Sequence, residues 1–425
     1  ALRGKTDATA SMADVFTAPS ILLIGNDPTE QHPLLAWQIR NNVRLHRARL
    51  HVINSKSIKL RRQAMSFTQI PVGTEGQVAA FLAGNDAAAD GIASSSISRE
   101  AWIALREKLR GEQNLIIVFG SEILGDDLAS LVKFGSEIVG ARFVCLADYA
   151  NSHGAADMGL YPDLLPGYHP TAGNSEFHKE WGSIPQAAGL DLPGMIEAGK
   201  SGALKALYVV GSNPVGRLNI DPFAFSKSFV VVQDMFLTET AAIADVVLPA
   251  ANAYEKSGTF TNTCGDLQLV KKAGEVTGTK SDFEMIVRIA DAMGFDVRKL
   301  VPFGGGTYAD MGQSRGAQSG EADRHAVWLE AHGLEPKMSP FEPTAILDEI
   351  QRLVPGYDVS RMNLLAGNSE HTSLEKAGPG VAHRAESIAP ANDDLFTSGT
   401  LGRYSRALKS VAESHEVKPA EVAAD

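Results

Sequence analysis

Short runs of apolar, branched residues recur along the first part of the chain, separated by longer segments with helical spacing. The runs lie at 20–25, 48–53, 114–120 and 141–147, and a second series follows at 204–210, 229–233 and 245–249. Each run is too short for a buried helix and ends in turn-forming residues, which is typical of strands in a parallel sheet covered on both faces. Segments 33–45, 75–83, 98–110 and 125–139 have helical length and spacing between them. The pattern predicts a doubly wound α/β fold.

The two series of predicted strands begin alike. Residues 21–28, Ile-Leu-Leu-Ile-Gly-Asn-Asp-Pro, align with residues 207–214, Leu-Tyr-Val-Val-Gly-Ser-Asn-Pro. In both, a strand runs into glycine, then a polar residue that can cap a helix, then a proline suited to the first helical turn. The likeness predicts two related Rossmann-like units. Such turns present N–H groups to an anion, but the same residues also serve as ordinary helix caps.

The amino-acid composition of the chain changes near residue 300. The clearest helix before that point is predicted at 281–293, where Ser281 and Glu284 have capping-box spacing. Beyond it the sequence is rich in Gly, Ser, Pro and charge, with one convincing helix at 343–353. We therefore predict a first Rossmann-like domain at 1–200, a second α/β domain at 201–300 and an irregular, partly helical extension at 301–425, wrapped on the sheets or on a partner.

Composition and charge exclude several classes of function. The chain has 425 residues with a formal net charge of −11, and we find no basic stripe interleaved with aromatics, so nucleic acid is not an expected partner. The basic cluster Lys59, Arg61 and Arg62 is interpreted as a solvated face. Apolar runs fall far short of the ~20 residues that a membrane-spanning helix needs. No direct membrane span is expected.

The two cysteines, Cys145 and Cys264, are too few for a zinc site or a four-thiolate iron-sulfur cluster. Cys145 lies in a buried-strand pattern and is predicted to be a small core residue. The glycine-rich dinucleotide fingerprint, the Walker phosphate loop and His-Glu-x-x-His are all absent from the sequence. No catalytic residue and no metal ligand is predicted in this chain.

The most informative stretch is 234–268, which resembles the molybdopterin oxidoreductase family. Its members carry a Thr-Glu-Thr-Ala helix, an Ala-Asp-Val-Val-Leu-Pro strand and a Glu-Lys-x-Gly-Thr-Phe-Thr-Asn loop in that order, and here these begin at Thr238, Ala244 and Glu255. Residues 70–75, 151–155 and 211–214 extend the likeness over roughly 20–300. The resemblance implies a pterin cleft at the following positions: Gly25, Asn26, Asp27, Gly73, Thr74, Gly211, Asn213, Pro214, Gly258, Thr259, Asn262 and Asp266.

Three departures from the family pattern suggest that the cofactor is lost. The loop that typically continues Glu-Gly-Arg reads Cys264-Gly265-Asp266, so a carboxylate replaces a cation beside a phosphate-bearing group. Two like charges about 4 Å apart cost about 4 kcal/mol at an effective dielectric near 20. The second predicted strand ends in Asn54-Ser55-Lys56 where the enzymes usually show Asp-Pro-Arg, and the C-terminal lid resembles the family only over 395–403.

Within the family, a retained frame with a lost pterin site resembles the large iron-sulfur subunit of NADH-quinone oxidoreductase, respiratory complex I. That likeness implies a chain without its own cofactor, in contact with other peripheral-arm subunits, in the cytoplasm and peripheral to the inner membrane. Iron-sulfur clusters would belong to an N-terminal part that this sequence, which begins at Ala1, does not include. We therefore interpret the chain as a fragment or a processed product.

Two other interpretations stay open at this point. One is a fragment of a molybdopterin catalytic subunit of the formate dehydrogenase or nitrate reductase type. The other is a non-catalytic module that uses the two strand-to-helix turns to bind a different anion. Two loop histidines near the ancestral cleft, His153 and His169, are interpreted as hydrogen-bonded structure rather than ligands.

Overall fold

A parallel sheet of five strands forms the centre of the N-terminal part. The computed structural model describes residues 8–92, 97–147, 149–218, 220–274, 278–295, 343–372, 374 and 410. Within them the first sheet has the strand order β3-β2-β1-β4-β5. Its strands are β1 (Ser20–Ile24), β2 (Arg49–Asn54), β3 (Ser66–Gln69), β4 (Leu115–Phe119) and β5 (Arg142–Cys145). Every pairing is parallel.

Helices cover both faces of this sheet, which explains why β1 and β4 are buried at all five positions. One face packs against α1 (Met12–Thr17), α2 (Pro28–Gln31) and α3 (Pro33–His46). The other packs against α4 (Glu75–Leu82), α5 (Ala89–Ile92), α6 (Arg99–Arg110) and α7 (Gly125–Ser136). Trp102 and Phe81 meet edge to face in that second core, with ring centroids 5.8 Å apart.

A smaller parallel sheet repeats the first half of this pattern. Its order is β10-β9-β8, formed by β8 (Ala206–Val210), β9 (Phe229–Asp234) and β10 (Val246–Pro249). Before this sheet in the chain lie α8 (Ser152–Asp157) and α9 (Ser175–Trp181), which pack outside its core. The core of the sheet includes residues of α10 (Leu192–Ser201) and α12 (Glu239–Ala242), and α12 contacts α11 (Pro214–Arg217). The helix α13 (Asp282–Ala292) begins beside β9, where Asp282 accepts a hydrogen bond from Gln233 at 2.6 Å. The N–H of Gly25 donates to Ile53 O at 2.9 Å, and that of Gly211 donates to Gln233 O at 2.8 Å. The two turns are thus held alike, as the internal likeness of the sequence predicts.

Residues 343–374 pack against the middle of the chain. They contain α14 (Leu347–Leu353), α15 (Arg361–Leu365) and β13 (Glu370–His371), which extends an antiparallel hairpin of β11 (Gly258–Thr261) and β12 (Asp266–Val270). A short antiparallel pair, β6 (Leu164–Leu165) and β7 (His169–Pro170), lies beside them. Leu347, Val354 and Tyr357 share a buried cluster with Phe177 and Leu267. Short 3-10 segments complete the described structure: Lys59–Arg62, Asp86–Ala88, Pro166–Tyr168, Pro222–Phe225, Ala253–Glu255 and Pro343–Ile346.

The α/β class with parallel sheets is confirmed, and one residue-level prediction is wrong. Cys145 is exposed rather than buried. It is the last residue of the edge strand β5, in which Phe143 and Val144 are buried and Cys145 is not. Of the predicted extension at 301–425, residues 301–342, 373, 375–409 and 411–425 lie outside the described residues. No helix of the described part is long and apolar enough to cross a bilayer.

Candidate functional site

The first strand-to-helix turn, Gly25 to Asp27, is held by its neighbours on the sheet. Gly25 and Asn26 both have positive φ, at 69° and 29°. The amide of Asn54, the last residue of the adjacent strand β2, donates to the carbonyls of Gly25 and Asn26. Asp27 caps α2 by accepting the N–H of Thr29 at 3.0 Å. The backbone of Gly25 and Asn26 is thus held by Asn54, and the Asp27 side chain serves as a helix cap.

A carboxylate of the protein lies against this turn. Glu122 Oε1 accepts the N–H of Asn26 at 3.0 Å. A Cβ atom added at Gly25 would lie 3.2 Å from Cδ of Glu122 and 3.4 Å from Cγ of Glu75. The position where an anionic ligand would meet the backbone of this turn thus faces two carboxylates of the chain, the exposed Glu122 and the buried Glu75.

The turn at Gly73 and Thr74 positions Glu75 next to Gly25. Gly73 has φ +81° with open space around it, a conformation that glycine adopts without penalty. Thr74 donates its hydroxyl to Pro71 O at 2.8 Å, and its carbonyl accepts the N–H of Val78 at 3.1 Å. The turn therefore starts α4 and buries Glu75 beside Gly25.

In the second turn, Gly211 to Pro214, the side chain of Asn213 accepts hydrogen bonds from neighbouring segments. Asn213 Oδ1 accepts from the N–H of Gly216 and of Thr240, each at 3.2 Å, and from the Thr240 hydroxyl at 2.8 Å. The Asn213 amide donates to Glu239 Oε2 at 2.6 Å. Pro214 occupies the first turn of α11. The Thr-Glu-Thr-Ala motif therefore holds this turn by hydrogen bonds, and its Glu239 places a carboxylate beside the turn.

The loop between β11 and β12 closes on itself. Asn262 Oδ1 accepts the N–H groups of Cys264 at 2.9 Å and of Asp266 at 3.0 Å, and the Asn262 amide donates to Asp266 Oδ2 at 3.2 Å. Asp266 Oδ1 lies 3.3 Å from His371 Nδ1. Gly258 and Thr259 precede the loop in β11. Asp266 therefore has partners inside the chain, including one from β13.

Cys264 is buried in the core between the first sheet and α3, beside the Asp266 loop. Burial raises the pKa of its thiol to about 12, and Asp266 and Asp14 add to that shift. A thiol of this kind stays protonated and packs as a small apolar side chain. The described residues contain no group of three or more His, Cys, Asp or Glu side chains suited to a metal ion.

A buried polar group joins the loop of Asn262 to α8. His153 Nδ1 lies 3.2 Å from Asn262 O, and His153 Nε2 lies 3.6 Å from Asp157 Oδ1. Tyr168 donates its hydroxyl to the same Asp157 oxygen at 2.7 Å. Burial raises the pKa of Asp157, against the opposing effects of His153 and Tyr168. Burial lowers the pKa of His169, whose ring packs against Phe177. Within the described residues, His153 thus contacts Asn262 and Asp157, and His169 packs against Phe177.

These surroundings fit a phosphorylated cofactor poorly. The N–H groups of Asn26, Gly216 and Thr240 already donate to side-chain oxygens of the chain. Glu122 and Glu239 bring carboxylates to the two turns, where a phosphate requires donors or cations. Among the residues that make these contacts, Glu122 and His371 are not selected by sequence reasoning. Glu75 and Thr240 lie in motifs that it quotes without assigning them to the cleft. Glu122 lies after β4 in a segment that matches no known motif. His371 is 105 positions from its partner Asp266 in the sequence, so no local pattern relates the two residues.

Comparisons with known proteins give the family and its range of members. The profile of the molybdopterin oxidoreductase family matches residues 2–292. One subunit of the NADH-quinone oxidoreductase of Rhizobium meliloti is 29% identical, over 95% of this chain and 47% of its own length. The alpha subunit of the F420-dependent formate dehydrogenase of Methanocaldococcus jannaschii is 30% identical, over 69% of this chain and 50% of its own. A putative formate dehydrogenase of Staphylococcus haemolyticus is 29% identical, over 67% and 34%.

Among solved structures, acetylene hydratase from Pelobacter acetylenicus aligns with a TM-score of 0.46 and 15% identity, over 69% of this chain and 50% of that one. This chain spans half or less of the length of the curated relatives named above. The family profile covers more than half of the chain, including both parallel sheets and the loop of Asp266. The chain belongs to the molybdopterin oxidoreductase family.

Proposed function

We propose that this chain is a cofactor-free structural module of the large iron-sulfur subunit of an NADH-quinone oxidoreductase. In this role it supports electron transfer from NADH to quinone through contacts with other peripheral-arm subunits, on the cytoplasmic side of the inner membrane. The iron-sulfur clusters belong to an N-terminal part of the full subunit. The chain itself performs no reaction.

The contact between Glu122 and Asn26 carries the cofactor-free part of the proposal. An anionic ligand at the first turn has to displace Glu122 from the Asn26 N–H and then remain beside Glu75, which is buried. Glu122 is exposed and Glu75 is buried, and two like charges about 4 Å apart cost between about 1 kcal/mol in water and about 4 kcal/mol at an effective dielectric near 20. Asp266 adds a carboxylate at a position where the enzymes of the family carry arginine.

The extent of the relatives supports the choice of complex. The likeness to the NADH-quinone oxidoreductase protein of Rhizobium meliloti runs over 95% of the chain, whereas the formate dehydrogenases named above match 67% and 69%. Residues 343–374 form one buried cluster with the family domain through Leu347 and Leu267. A relative that matches nearly the whole chain is the better guide to a segment packed in this way.

Metal and pterin analysis of the full-length protein, purified from its own cells, tests the proposal. We expect molybdenum, tungsten and pterin far below one equivalent per chain, and NADH-quinone oxidoreductase subunits that copurify with it. Stoichiometric molybdenum or tungsten together with pterin would overturn the cofactor-free assignment. That result would favour the alternative, a molybdopterin catalytic subunit of the formate dehydrogenase or nitrate reductase type. The similarity to formate dehydrogenases supports this alternative.

A further inference from the structure

One region of this acidic protein has the opposite charge. Between Glu30 and Glu75 the sequence contains no Asp or Glu, although the chain as a whole has a formal net charge of −11. The same stretch contains eight Lys and Arg residues. The sequence alone suggests a short solvated cluster at Lys59, Arg61 and Arg62, but the structure places a second set of cations on the same side of the sheet.

The second set lies on α3, whose outer face is both basic and apolar. Leu34 is 73% exposed, Trp37 57% and Leu45 57%. Their spacing, with Asn41 between them, places these side chains along one side of the helix. The buried side of α3 is formed by different residues, Leu35, Ala36, Ile39 and Asn42. The exposed apolar line is therefore not the core-facing side of the helix.

Two basic sets lie on the same side of the first sheet as this apolar line. Arg40, Arg44 and Arg47 lie on or directly after α3, and none of them has an ion-pair partner within the described ranges. Ile58 and Leu60 pack into the same buried cluster as Leu35 and Ile39 of α3. The segment that carries Lys59, Arg61 and Arg62 thus lies on the same side of the first sheet as α3.

We propose that this surface, defined as Leu34, Trp37, Leu45, Arg44, Lys59 and Arg62, binds an acidic protein segment with an apolar seam, such as an amphipathic helix. The inference rests on the proposed function, which places the chain in an assembly, and it adds where one partner docks and what chemistry that partner has. Tryptophan and arginine are the residues most enriched among those that dominate binding energy at protein interfaces. From Leu34 to Leu45 the line is about 16 Å long, which is three turns of a partner helix.

Charge complementarity favours an acidic protein over the other anionic surfaces. A polynucleotide or a bilayer extends well beyond the patch, so it would also face the carboxylates that give the chain its net charge of −11. A protein segment of limited size meets only the basic region. An acidic partner also gains an association rate that decreases with salt.

Photo-crosslinking in the native cell tests where the partner docks. Benzoylphenylalanine is placed at position 37 in the full-length protein, and a matched control has it at position 160, where Leu160 is 75% exposed in a different region. We expect position 37 to crosslink to one protein, through a peptide with more Asp and Glu than Lys and Arg. Yield no higher than at position 160, or attachment to a basic peptide, a lipid or nucleic acid, would overturn the proposal.

A charge variant tests the chemistry of the partner with a defined probe. The probe is a synthetic helical peptide with a leucine seam flanked by glutamates, and a second peptide carries lysine in place of each glutamate. We expect the glutamate peptide to bind the wild-type protein, and Arg44→Glu/Arg62→Glu to weaken it about tenfold or more. The control Lys133→Glu/Lys179→Glu changes two exposed lysines elsewhere and should leave binding unchanged.

Equal binding of both peptides, or equal weakening by both double variants, would contradict the proposal. Binding to phosphatidylglycerol vesicles but not to the glutamate peptide would assign the patch to a lipid surface instead and would also overturn it. These outcomes are separate from those for the proposed function. A cofactor-free complex that forms without any crosslink at position 37 would end this inference alone, whereas stoichiometric molybdenum would end the proposed function.

Discussion

Glu122 Oε1 accepts the backbone N–H of Asn26 at 3.0 Å, across 96 positions of sequence. Asn26 sits in the turn after β1, and Glu122 follows β4, the neighbouring strand. In doubly wound folds, ligands bind outside the carboxyl ends of the strands. At this edge of the first sheet, the N–H of Asn26 donates to a side chain of the protein itself.

Replacing Glu122 tests how much this contact stabilises the turn. We expect Glu122→Ala to lower the free energy of unfolding by about 1 kcal/mol, since the Asn26 N–H loses a charged acceptor and turns to water. Glu122→Gln retains an oxygen acceptor of the same reach and should cost less. Urea denaturation of the three proteins measures the difference. Identical midpoints for all three would show that the contact does not contribute to stability.

Asn42 links α3 to α1 through two hydrogen bonds. Its amide, fully buried, donates to Val15 O and Ala18 O, each at 2.8 Å. In Asn42→Ala two buried carbonyls lose their donor, which should lower the free energy of unfolding by about 2 kcal/mol. The neighbouring Asn41→Ala, on the more exposed side of the same helix, should cost less than about 0.5 kcal/mol. Chemical denaturation of both variants measures this contrast, and equal losses would argue against it.

Gly135 is the point of closest approach between α7 and the first sheet. A Cβ atom added there would lie 2.3 Å from Cζ of Phe143 and 3.0 Å from Cδ1 of Ile117. Gly135→Ala should therefore destabilise the protein by about 1–3 kcal/mol through overpacking, despite the better helix propensity of alanine.

Gly111 gives the matched control for this substitution. At the end of α6, an added Cβ atom would have ordinary contacts, 3.5 Å from Lys108 O. We expect Gly111→Ala to shift the thermal midpoint by much less than Gly135→Ala. If the two variants melt at the same temperature, the close approach at Gly135 relaxes without cost.

Sequence predicts most of the strands, whether they are buried or not. The runs at 20–25 and 114–120 contain β1 and β4, which are central and buried at every position. The runs at 204–210 and 245–249 contain β8 and β10, which are largely exposed. The edge strand β3 (Ser66–Gln69) is not predicted, because its sequence Ser-Phe-Thr-Gln contains only one apolar residue. Local patterns therefore predict strands that contain an apolar run, at the centre or the edge of a sheet, and miss a strand whose sequence is largely polar.

For the candidate site, sequence predicts the turns but not their partners. Gly25, Asn213 and Asp266 are selected from local motifs, and each lies in the expected turn. The side chains that decide what these turns can bind come from distant segments, Glu122 for the first and His371 for Asp266. No local periodicity encodes such pairs, because they depend on how the folded elements pack.

Asp157 should make the stability of the protein depend on pH. Burial raises its pKa above the ordinary 3.8, although His153 and the Tyr168 hydroxyl favour the ionised form. A raised pKa means that the folded state holds the proton more tightly than the unfolded chain does. The resulting stability is fully present below the unfolded pKa of Asp157, and it is lost as the pH rises through the folded pKa.

Asp157→Asn removes this titration while it keeps an oxygen that can accept from Tyr168. From acidic to neutral pH, the melting temperature of the wild type should therefore fall relative to that of Asp157→Asn, because the wild type must ionise a buried carboxyl that the variant lacks. Glu176→Gln, an exposed carboxylate in the first turn of α9, should keep the pH profile of the wild type. Differential scanning calorimetry across this range separates the three proteins. Parallel profiles for wild type and Asp157→Asn would mean that the folded and unfolded chains bind the Asp157 proton equally, and that burial does not control this carboxyl.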